Sequence, residues 1–170
     1  MNEVVKYGIR FLVIFLFQVL ILKRVDINPG DSSYIHLIIY PLFIFILPIS
    51  TPKSLVVALG FFMGLMIDMF YDSPGVHASA LCFTAFIRSF VLRILESADG
   101  YTTSTIPSMK DFGISGFIIY ASILLGLHLI FYFSIEAFSF VFLGEILLRT
   151  IASFIVSIIL LILIQIIINR

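Results

Sequence analysis

SLVVALGFFMGLMIDMFYDSPGVHASALCFTAFIRSF, residues 54–90, reads as two apolar stretches of helical length joined by a turn. Each half is close to the roughly 20 apolar residues that cross a bilayer. The break between them, Asp72-Ser73-Pro74-Gly75, is built from turn-forming residues. On the first helix Gly60, Gly64 and Asp68 recur at steps of four and share one face, with a G-x-x-x-G pair that lets another backbone come close. On the second, Gly75, Ala78, Ser79, Cys82, Ala85 and Ser89 form a stripe of small residues. Two narrow faces on consecutive helices predict a tightly packed membrane hairpin.

The rest of the chain extends the pattern. Of 170 residues 61% are hydrophobic and 12% charged, and the mean hydropathy is +1.20. Soluble domains carry about 25% charged residues, so this chain cannot clothe a water-facing surface. A soluble enzyme and a disordered protein are excluded on those grounds. Ten basic residues balance ten acidic ones, which leaves no excess for nucleic acid. Apolar runs predict six transmembrane helices in one all-α domain spanning residues 1–170, at 7–22, 34–49, 54–71, 74–95, 112–134 and 143–168. Prolines 41 and 48 interrupt the second run. Thr51 with Pro52, and Ser73 with Pro74, have the residue types of helix starts. Polar loops are expected around Pro29, Gly30 and Asp31 and from Glu96 to Asp111. The first run ends at Lys23-Arg24 without a small-residue cleavage site, so it is expected to stay as a helix.

Six crossings put both termini on one side. That side would hold Lys6, Arg10, Lys53, Arg88, Arg93, Lys110 and Arg170, against Lys23, Arg24 and Arg149 on the other. The bias predicts cytoplasmic termini. Arg88 is expected to snorkel to the cytoplasmic interface, and Glu145 and Arg149 have the spacing of a helical ion pair.

Asp68 lies about 22 Å along its helix from Lys53, at 1.5 Å per residue, in the outer half of the bilayer. A carboxylate there marks either a functional or partner contact or the cap of the adjoining turn. Asp72, His77 and His128 reach the same level and can meet it in a small polar cluster. The histidines at 36, 77 and 128 lack zinc-site spacing, and Cys82 is the sole cysteine, so neither a metal nor another cofactor is expected. Catalytic signatures such as G-x-S-x-G and H-E-x-x-H are absent.

Residues 64–78, GLMIDMFYDSPGVHA, resemble the signature of the rod shape-determining protein MreD family, a G-L-x-x-D run followed by a Pro/Gly turn and a helix rich in small residues. Chain length and minimal loops are similar throughout. Pro74 and Gly75 adjoin here, where many members insert a residue. The resemblance implies a non-enzymatic scaffold of cell elongation in the bacterial inner (cytoplasmic) membrane. Its partners would be the bitopic MreC and, directly or indirectly, MreB and the RodA–penicillin-binding-protein peptidoglycan synthase. It also implies a fold like the substrate-binding subunits of energy-coupling-factor transporters. The alternative is therefore a vitamin-type transport subunit, although the first helix lacks the Ala-x-x-x-Ala motif usual in those subunits. An intramembrane enzyme ranks last. Candidate partner-binding or structural residues are Gly60, Gly64, Asp68, Asp72, Pro74, Gly75, His77 and His128.

Overall fold

The computed structural model describes residues 3–25, 35–96, 105–138 and 143–168. The expected loops around Pro29, Gly30 and Asp31 and around Gly100 lie outside these residues, as does Arg170. The described elements are helical: α1 (Glu3–Leu16), α2 (Pro41–Phe45), α3 (Lys53–Tyr71), α4 (Val76–Ile94), α5 (Gly113–Ala137) and α6 (Leu143–Ile168). A π-helical turn (Phe17–Ile21) and a 3₁₀ turn (Leu22–Arg24) extend α1 into a span from Val5 to Arg24. With α3, α4, α5 and α6, five helices among the described residues are long and apolar enough to cross a membrane. Their outward faces carry side chains such as Phe62, Phe86, Phe90 and Ile151, each at least 60% exposed. Such a surface suits hydrocarbon and would aggregate in water.

Successive helices from α3 to α6 pack on one another, and α1 packs against α2 and α3. The prediction of a helix over residues 34–49 needs correcting. Only Pro41–Phe45 is helical there, and residues 35–39 have no regular structure. The prolines explain the interruption. Pro41 has no N–H to continue a helix and instead begins one, while Pro48 disfavours helical backbone just before it. This broken segment nonetheless forms the centre of the molecule. From Leu37 to Leu47 every residue is buried.

Irregular backbone inside a membrane protein needs polar partners from its neighbours. Those partners are present on the surrounding helices. Gln18 donates its amide to the Leu37 carbonyl at 2.9 Å and accepts the Ile39 N–H at 2.9 Å. Ser153 and Ser157, one turn apart on α6, accept the N–H groups of His36 and Ile38 at 2.9 and 3.0 Å. Tyr120 donates to the Phe45 carbonyl at 3.0 Å, and Arg88 donates to the Leu47 carbonyl. Each buried donor or acceptor left unpaired would cost about 1–3 kcal/mol. Arg88 is therefore no snorkelling side chain. It is 3% exposed and also donates to the Tyr120 hydroxyl at 3.1 Å.

Two helix starts also differ from expectation. Pro52, not Thr51, is the N-cap of α3, and α4 begins at Val76 because Ser73, Pro74 and Gly75 are used in the turn. Glu145 and Arg149 pair at 2.6 Å, and Glu136 lies 3.8 Å from the same guanidinium.

Candidate functional site

The hairpin of α3 and α4 is closed by one carboxylate. α3 ends at Asp72 in left-handed geometry (φ 52°), and Gly75 (φ 85°) turns the chain into α4. The first N–H groups of a helix have no partner inside it, and α4 has no side-chain cap at its own N-cap position. Asp68, one turn back from the end of α3, supplies that cap. Its Oδ2 accepts the N–H groups of Gly75 at 3.1 Å and Ala78 at 3.0 Å. Its Oδ1 accepts the His77 N–H at 2.9 Å, the Ser73 hydroxyl at 3.1 Å and the His77 Nδ1 at 2.9 Å. The positive end of the α4 dipole faces this negative group. With side chains only 3% and 2% exposed, Asp68 and His77 form a buried, multiply bonded pair.

Gly64 makes this approach possible. A Cβ added there would lie 2.4 Å from Ala78 Cα and 2.6 Å from Ala78 N, distances that no backbone tolerates. At Gly60 the corresponding atom would sit 3.2 Å from the Leu81 carbonyl oxygen, a tight but milder contact.

His77 lies among three tyrosines, with ring centroids at 4.9 Å for Tyr71, 5.0 Å for Tyr132 and 5.4 Å for Tyr40. Tyr71 accepts a bond from Gln18 at 2.9 Å, which links α1 to the hairpin. Lys23 donates to the Phe70 carbonyl, at the negative end of α3. His128 belongs to a neighbouring group rather than to the carboxylate. Thr84 donates to the Ala80 carbonyl, so its oxygen accepts from His128 Nδ1 at 2.8 Å. The other ring nitrogen then accepts the Tyr40 hydroxyl at 2.9 Å. Tyr40, whose ring touches both histidines, bridges the two groups. Asp72 stays outside, exposed on the turn with Pro74 and Gly75.

Ser73 does not have the placement of a triad nucleophile. A nucleophile is activated by the imidazole nitrogen opposite the carboxylate. Here Ser73 and Asp68 both face Nδ1 of His77. Among the described residues no three His, Cys, Asp or Glu side chains converge to hold a metal ion. Above His77 opens a cleft of about 350 Å³ whose polar lining includes Gln18, Lys23, His36, Tyr132 and Glu136.

No family model, curated protein or solved structure matches this chain. The site must therefore be read from its own geometry. The residues that sequence reasoning missed are Gln18, Ser153, Ser157 and Tyr120, polar groups within apolar runs. Their rarity there was the available signal.

Proposed function

We propose that the chain is a non-enzymatic scaffold of the rod-shape machinery in a bacterial cytoplasmic membrane, the role of the MreD family that residues 64–78 resemble. One observation carries the reading. Gly64, Asp68, Gly75 and His77, the residues of that resemblance, serve a single contact that locks α3 to α4. The locked hairpin presents a rigid exposed turn, Asp72, Pro74 and Gly75, to whatever approaches from that end. A bitopic MreC-like protein would dock on this turn and couple it to MreB and the RodA–penicillin-binding-protein synthase. Asp68 itself is engaged inside the protein and acts by holding the turn.

In this reading the chain crosses six times, the count found in energy-coupling-factor substrate-binding subunits. What supports this is that Lys6 of α1 and Ile168 of α6 line one cleft, as an even number of crossings would have it. The broken segment supplies the sixth. It passes from Ser153 near its start to Arg88 near its end, and Arg88 lies about 16 Å along α4 from His77. With Arg88 buried, Lys6, Arg10, Lys53, Arg93 and Lys110 mark the basic end, against Lys23, Arg24 and Arg149. Both termini are then cytoplasmic. Reporter fusions after Arg170 and within residues 97–107 should both report cytoplasm, and a periplasmic signal from either overturns this topology.

The cleft above His77 favours the second reading, a vitamin-type transport subunit. Complementation separates the two. Expression of the chain in rod-shaped bacteria depleted of their own MreD should restore rods, while persistence of round cells with the protein present in the membrane contradicts the scaffold.

A further inference from the structure

We propose that the cleft at the basic end of the molecule binds the head group of a hydroxylated anionic phospholipid, of the phosphatidylglycerol class. The cleft measures about 390 Å³ and lies where α1 begins and α6 ends. Among the described residues Lys6, Arg10 and Lys110 line it, opposed by the carboxylate of Asp111. One oxygen of that carboxylate accepts the Ile106 N–H at 2.9 Å, and its one charge leaves the three cations in excess. Three cations around one cavity suit a phosphodiester.

A second feature indicates what the head group must carry besides charge. Gln165 lines the same cleft, is only 1% exposed, and its Oε1 has no hydrogen-bond partner among the described residues. A buried acceptor without a donor is costly. A phosphate oxygen or a quaternary amine cannot satisfy it, whereas a glycerol hydroxyl can, and a primary ammonium, though a donor, would add a fourth cation to the cleft. The apolar flank points to a lipid rather than a soluble phosphate. Ile168 lines the cleft, and Val5 and Ile9, 49% and 48% exposed, continue the lipid-facing surface of α1 beside it. Acyl chains would lie along this flank while the head group enters between α1 and α6, which pack on other elements.

The test is lipid binding to the purified full-length protein in detergent, read by native mass spectrometry. The probes are phosphatidylglycerol, phosphatidylmethanol (the same charge without hydroxyls), phosphatidylethanolamine and glycerol 3-phosphate. Wild type should retain phosphatidylglycerol in preference to the other three. Arg10→Gln with Lys110→Gln should weaken that binding about twenty-five-fold, at about fivefold per cation. Gln165→Leu should abolish the preference over phosphatidylmethanol. An unchanged melting temperature in lipid-free detergent would confirm that the double variant is folded. Equal retention of phosphatidylethanolamine, or undiminished binding by the folded double variant, overturns the site. Glycerol 3-phosphate binding as tightly as the lipid overturns the membrane source of the ligand.

Discussion

Replacement of Asp68 by leucine is expected to remove about 3 kcal/mol or more of stability, a large share of the 5–15 kcal/mol typical of a folded domain. The carboxylate accepts three main-chain N–H groups at the start of α4, together with the Ser73 hydroxyl and His77 Nδ1. Leucine leaves these buried donors without acceptors. Asparagine, usually a gentle replacement, should do little better. Both oxygens accept main-chain N–H groups, so an amide NH₂ in either position meets another donor. Thermal unfolding in detergent is the measurement. Both variants should melt far below wild type and accumulate poorly in membranes. Asp68→Asn melting with wild type while losing partner binding would show that the charge serves docking and not the cap.

Gly64→Ala should be the second most damaging change. Added carbon would lie 2.4 Å from the Cα of Ala78, so the two helices must separate. Overpacking of this kind costs about 1–3 kcal/mol, occasionally more. The cost is coupled to the cap, because the displaced Ala78 N–H is one of the bonds to Asp68. Gly60→Ala faces a carbonyl oxygen at 3.2 Å and should cost much less. Combining Gly64→Ala with Asp68→Leu should therefore destabilise by less than the two effects added. Full additivity in a double-mutant cycle would mean that glycine packing and the carboxylate cap act separately.

What could be read in advance follows from how far each interaction reaches along the chain. The five long helices rest on continuous apolar runs, and periodicity alone places Gly60, Gly64 and Asp68 on one face. Pairing of Asp68 with His77 lay within reach of the same reasoning, since nine residues of hairpin separate them. That Asp68 caps the adjoining turn was legible only as one of two readings, and which N–H groups it accepts was not. Local rules look for the capping side chain at the N-cap, whereas α4 borrows one from the preceding helix. The broken second segment depends on still more distant partners. Its prolines signal an interruption, but its burial rests on Ser153 and Ser157, more than a hundred residues away. Arg88 fails for the same reason. A cation near a helix end resembles a snorkelling residue until the Leu47 carbonyl and the Tyr120 hydroxyl are seen beside it.

The role as a scaffold is tested most directly by affinity purification of the tagged chain from native bacterial membranes at its normal expression level, followed by mass spectrometry of what accompanies it. The account predicts a bitopic MreC-like protein in near-stoichiometric amount, with the peptidoglycan synthase enriched behind it. An Asp72→Lys change on the exposed turn should deplete both while leaving the protein in the membrane. Recovery instead of the membrane and ATPase subunits of a transporter, or of a bound vitamin with no MreC-like protein, would contradict it.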